Sequence, residues 1–184
     1  MNDLFKNQYK TNSTRLAGWD YTAGWYFVTI CAKDKKMFFG KIGNGKMRLN
    51  QIGEVVKEEL LKTPIIRRNV VLDKWVIMPN HTHMIIVITN NNGGGVETHC
   101  NASLPQTNKF GPQRNNLASI IRGFKGVTTK RIHLARQADF AWQPGFYDHI
   151  LRDEKDYQNT WDYIDYNPDK WEWNKENPEN LKKK

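Results

Sequence analysis

Residues 70–89 read VVLDKWVIMPNHTHMIIVIT, and no other stretch of the chain restricts its fold as tightly. Residues 70–78 and 81–89 are both of strand length and rich in β-branched residues, and Met78-Pro79-Asn80 is a natural turn between them. From Met84 to Ile88 the second run is apolar without interruption, which marks a central strand covered on both faces. Such a strand needs neighbours. Residues 25–32 (WYFVTICA) supply one, and the turn signal Gly43-Asn44-Gly45 ahead of a short strand at Lys46–Leu49 predicts that these two strands form a hairpin.

The helical segments complete an α+β pattern. Asn50 is placed to cap a helix running to about Lys62, with Ile52, Val55, Val56 and Leu60 at helical spacing and Pro64 as its stop. Residues 117–135 carry Leu117, Ile120, Ile121, Phe124 and Val127 on one side of a second helix, with Arg122, Lys125 and Lys130 off that stripe. A third helix spans residues 154–166 and ends before Pro168. Between the second pair of strands and the second helix, residues 90–116 hold seven Asn and four Gly with no sustained period, which reads as an inserted loop. The chain of 184 residues accommodates one domain, expected over 1–170, followed by a polar tail at 171–184 that is expected to fray.

Charge narrows the partners. Lys and Arg number 28 against 19 Asp and Glu, a formal net charge of +9. From Lys6 to Arg48 there are nine basic residues and two acidic ones, and from Arg114 to Arg136 six basic and none acidic. A polyanion suits such surfaces, because every phosphate contact releases condensed counterions. No apolar run of about 18 residues exists to span a bilayer. The first ten residues lack the apolar core of a signal peptide, and Cys31 and Cys100 make no disulfide framework. The expectation is a cytoplasmic protein with no membrane partner.

His81 and His83 lie two apart in a strand, so both imidazoles leave the same face, with backbones roughly 6.5–7 Å apart. That spacing lets two ring nitrogens converge on one metal ion. Two nitrogens are too few for a closed structural zinc site, so an open site completed by water or substrate fits better. A zinc hydrolase needs a third His or a carboxylate; His99, His133 and His149 are available, but their spacing suggests nothing. On the last helix Tyr157, Trp161 and Ile164 form the core-facing stripe, while Asp156, Thr160, Tyr163 and Asn167 share the adjacent flank. Tyr163 and Asn167 are one turn apart, so an amide oxygen able to ligate a hard cation sits beside a phenol. Tyr166 points almost opposite the apolar stripe.

These residues resemble those of a known family. Residues 75–83 (WVIMPNHTH) look like the His-hydrophobic-His strand of the single-tyrosine HUH transposases, and most closely of the REP-associated tyrosine transposases and their insertion-sequence relatives. The resemblance continues through residues 142–149 (WQPGFYDH), Arg152-Asp153-Glu154 and residues 162–168 (DYIDYNP), the family's tyrosine helix. It covers about residues 15–170 with the motifs in family order.

The resemblance implies a ferredoxin-like core with an antiparallel sheet. It implies Mg²⁺ or Mn²⁺ bound by His81, His83 and Asn167, and Tyr163 as the nucleophile that cleaves single-stranded DNA near hairpins through a 5′-phosphotyrosine link. Arg122, Lys125, Lys130 and Arg131 are the basic residues expected to contact phosphates. A binding module of the same fold, gripping hairpin DNA or RNA without catalysis, is the alternative, and both a monomer and a homodimer stay open.

Overall fold

The computed structural model describes residues 4–5, 9–10, 16, 19–89, 115–174 and 176–181. Its strands are β1 (Leu4–Phe5), β2 (Tyr9–Lys10), β3 (Gly24–Cys31), β4 (Gly40–Gly43), β5 (Lys46–Leu49), β6 (Val70–Ile77), β7 (His81–Ile88) and β8 (Tyr147–Ile150). Its helices are α1 (Gln51–Ile66), α2 (Leu117–Leu134), α3 (Glu154–Asp165) and α4 (Pro178–Leu181). β3, β6, β7 and β8 form one antiparallel sheet in the order β6-β7-β3-β8. With α1 and α2 as the crossovers, this is the expected ferredoxin-like arrangement within an α+β fold. β1 pairs with β2 and β4 with β5 in two separate ribbons. Lys46–Leu49 therefore forms its hairpin with Gly40–Gly43 across the Asn44-Gly45 turn and not, as expected, with the strand at residues 25–32, whose edges are taken by β7 and β8.

The apolar run of β7 does what its composition requires: all eight residues are buried between β3 and β6. Strand alternation sends Met84, Ile86 and Ile88 into the large core shared with Ile52, Val56 and Leu60 of α1 and Ile120, Ile121 and Phe124 of α2. His81, His83 and Ile85 face the other way, where Ile85 packs with Leu151 and Ile164 under α3. The sheet therefore separates α1 and α2 from α3. α1 and α2 run antiparallel, tied by Arg67 donating to the Ser119 carbonyl and by Arg131 to Glu58 and Glu59.

Two further expectations are corrected. α1 does not stop near Lys62 but continues through Pro64 to Ile66. Proline in the last turn forfeits a single N–H, and the turn closes through Arg67 N donating to the Thr63 carbonyl and Thr63 Oγ1 to that of Glu59. The polar tail does not fray through residue 181: Trp171 is buried, and Trp171–Trp173 forms a 3₁₀ turn ahead of α4. Its asparagines supply the order, with Asn180 Nδ2 donating to the carbonyls of Glu172 and Asn174. Most of the expected inserted loop, residues 90–114, lies outside the described residues. Asn116 at its end caps α2 by accepting from Ser119 N at 2.9 Å. No helix among the described residues is long and apolar enough to cross a membrane.

Candidate active site

The site begins at the N-terminal end of β7, where His81 and His83 are both buried. Their Nε2 atoms face each other at 3.0 Å. The outer nitrogens are each held: His81 Nδ1 lies 2.7 Å from Asn80 Oδ1, and His83 Nδ1 lies 2.8 Å from Thr29 Oγ1. Asn80 settles the first tautomer. Its amide nitrogen donates to the carbonyls of Lys35 and Glu176, at 3.0 and 2.7 Å, so its oxygen is the atom turned to His81. A carboxamide oxygen only accepts, which places the proton on Nδ1 and a lone pair on Nε2. Thr29 sits opposite His83 in the β3–β7 register, and its hydroxyl both donates and accepts, so it accommodates either tautomer of His83.

Burial sets the charge of His81. It pushes the His81 imidazole down to about 4, since a cation is poorly solvated there, so the ring is neutral at physiological pH. Glu176 nearby acts in the opposite sense and Lys35 in the same sense. A neutral, oriented imidazole with its Nε2 lone pair free is the state that ligates a metal.

Helix α3 brings the phenol. Asp153 caps it by accepting from Asp156 N at 2.8 Å, and Ile164 and Trp161 seat the helix on the sheet. In this rotation Tyr163 turns toward the histidines, its hydroxyl 3.5 Å from His83 Nε2. Phe27 wedges the group from below, stacked on His83 at 5.2 Å and edge-on to Tyr163 at 5.9 Å between ring centroids. About half of Tyr163 stays exposed. Asn167 lies in the turn just past the helix, buried, its Oδ1 accepting from Asn174 Nδ2 at 3.0 Å and keeping a second lone pair. Trp171 closes the far side, its ring 6.1 Å from that of His81.

As a donor set, two imidazole nitrogens 3.0 Å apart suit an open divalent-cation site, and the buried Asn167 amide oxygen, fixed by Asn174, is of the type that could complete it. Among the described residues no group of three His, Cys, Asp or Glu side chains could hold a metal, which leaves the zinc-hydrolase reading without its third ligand. His133 Nε2 instead bonds to the Phe140 carbonyl, and His149 pairs with Asp156. His99 lies outside the described residues.

The four expected phosphate contacts are on α2, across the sheet from this site. Arg122 and Lys130 are exposed. Lys125 Nζ donates to the carbonyls of Gln143 and Gly145 at 2.6 and 2.8 Å, and burial lowers its pKa. Arg131 is engaged by Glu58 and Glu59.

Sequence reading did not single out Thr29, Phe27, Asn80, Trp171 or Asn174 as parts of the site. Only Thr29 and Phe27 left a signal, their place on the strand that pairs with β7.

The fold is similar to that of a solved REP-associated tyrosine transposase bound to a REP hairpin. The TM-score is 0.56 at 22% identity, covering 90% of this chain and 76% of that one. No family model matches the sequence. The chain is 38% identical over 164 residues to a protein of Haemophilus influenzae (strain Rd KW20) described as uncharacterized, covering 87% of this chain and 89% of that protein. It belongs to the same family as that protein.

Proposed function

We propose that the protein is a single-strand DNA endonuclease and strand transferase of the single-tyrosine HUH type, acting next to hairpins. The observation that carries this reading is the approach of the Tyr163 hydroxyl to within 3.5 Å of His83 Nε2, itself facing His81 Nε2 at 3.0 Å. A hairpin-binding protein without catalysis has no use for a half-exposed phenol aimed at two converging imidazoles. Hairpin DNA as the partner is supported by the REP hairpin held by the structural neighbour.

In the proposed reaction Tyr163 Oη attacks a backbone phosphorus in line. The Oη–P bond forms as the P–O3′ bond breaks, leaving a 5′-phosphotyrosine, and the released 3′ oxygen takes up a proton from solvent while the phenol gives its own up. His81, His83 and Asn167 would hold Mg²⁺ or Mn²⁺, which would supply charge neutralisation at the scissile phosphate. Phe27 and the α3 packing hold the phenol in place, and Asn80, Thr29 and Asn174 aim the ligands.

The test is incubation with labelled, hairpin-flanked DNA and Mn²⁺, followed by a denaturing gel. A covalent adduct is expected for the wild-type chain and none for Tyr163→Phe. Absence of a wild-type adduct refutes the catalytic reading, and an adduct that survives Tyr163→Phe moves the nucleophile elsewhere.

A further inference from the structure

The β4–β5 hairpin turns through Asn44 and Gly45, both at positive φ (53° and 69°), a tight turn matched to strand twist. Its two faces differ sharply. Met47 and Leu49 pack against the core, while Lys41, Lys46 and Arg48 stand exposed on the other face. Lys41 and Arg48 are direct cross-strand partners, and Lys46 is paired with Gly43 one step along the same face. Like charges directly opposite each other on a ladder are destabilising. None of the ion pairs among the described residues involves any of the three. Lys33 and Lys36 stand exposed on the approach to the hairpin, with Asp34 between them.

This ribbon adjoins the candidate active site through three separate contacts. Phe39 N, immediately before β4, donates to the Pro79 carbonyl at 2.9 Å, two residues ahead of His81. Asn80, which orients His81, donates to the Lys35 carbonyl. At the tip, a side chain on Gly45 would collide with the Asp169 carboxylate, two residues past Asn167. The cations are therefore anchored to the elements that carry the metal ligands and the tyrosine helix, unlike those of α2 across the sheet.

We propose that the outward face of the β4–β5 hairpin is a DNA-contact surface, in which Lys41, Lys46 and Arg48 follow the phosphate backbone of the strand that runs from the cleavage site. The inference rests on the proposed function. Two of the three cations are lysines, point charges without bidentate geometry, and the face carries no aromatic ring for a base to stack on, which suits contact with the backbone. A polyanion also removes the Lys41–Arg48 repulsion, which the free protein bears.

The experiment is a titration of the full chain against fluorescein-labelled DNA carrying a hairpin with single-stranded arms, at a series of salt concentrations. The variant is Lys41→Gln/Lys46→Gln/Arg48→Gln, and Lys57→Gln/Lys62→Gln on α1, which removes two cations from another face, is the control. Three lost single-strand contacts lower the slope of log affinity against log salt by about 2. The triple variant is expected to show that loss with at least a tenfold weaker complex at low salt, and the control no such loss. An unchanged slope and affinity in a triple variant that melts like wild type overturns the ribbon, as does tighter binding to RNA of the same sequence. Adduct formation by the wild-type chain is scored separately, so a missing adduct refutes the catalytic reading while the salt slope still judges the ribbon.

Discussion

Asn80 Oδ1 lies 2.7 Å from His81 Nδ1, while the other end of the same amide is bound to two backbone carbonyls. The side chain is thereby locked in one orientation and passes that orientation to the imidazole. Partners of this kind are worth about 10–100-fold in metal affinity. Asn80→Ala is expected to weaken Mn²⁺ binding by about that factor, measured by calorimetric titration of the pure protein. Asn80→Asp keeps an acceptor for His81 but gives up the two donated bonds, so it should restore part of the affinity at a cost in melting temperature. Affinity unaltered in Asn80→Ala would show that the His81 ring is held by packing alone.

Thr82, between the two histidines, points into the opposite core. It is fully buried and its hydroxyl has no hydrogen-bond partner among the described residues. A buried hydroxyl left unpaired costs about 1–3 kcal/mol, and valine has nearly the same shape. Thr82→Val should therefore raise stability by about 1 kcal/mol in urea unfolding and leave Mn²⁺ affinity unchanged. A loss of stability would reveal a partner for the hydroxyl.

What could be read from the sequence follows from what is local. β7 and its histidine pair were legible because an unbroken apolar run can only be a covered strand, and period-two alternation puts residues 81 and 83 on one face. The rotation of α3 was legible for the same kind of reason: 100° per residue separates the Tyr157, Trp161, Ile164 stripe from the Tyr163 flank, and the structure buries Ile164 and packs the other two beside it. Contacts that depend on register or return of the chain were not legible. Thr29 meets His83 through pairing across 54 positions, and Asn80 carries the sequence signature of an ordinary turn. Helical spacing shows that Arg122, Lys125 and Lys130 point away from the apolar stripe of α2. It says nothing about which face of the sheet that helix covers, so it cannot place them relative to the site.

Acid should act on the site through His81. Its folded pKa of about 4 lies below the 6.5 of a free imidazole, so the native state favours the neutral ring. The contribution to stability is fully present above pH 6.5, and it is lost as pH falls from 6.5 through about 4, because the unfolded chain binds the proton first. Urea unfolding of chelator-treated protein between pH 7 and pH 4 should show this decline, and His81→Gln should remove part of it. Equal slopes for variant and wild type would mean the decline arises from other groups.

Lys125 belongs to a different part of the molecule's economy than its charge suggests. Its ammonium donates to the Gln143 and Gly145 carbonyls, stapling the segment that bridges Trp142 to Ala32 at the end of β3. Burial already lowers its pKa, so the two carbonyls are what keep it useful there. Lys125→Met retains the aliphatic stem and deletes only these bonds, leaving the part-buried Gln143 carbonyl oxygen without its donor. The expected cost is about 1–3 kcal/mol in urea unfolding, with the salt dependence of DNA binding unchanged. A variant of wild-type stability whose DNA affinity falls with a shallower salt slope would make Lys125 a phosphate contact and give α2 a place in the DNA interface.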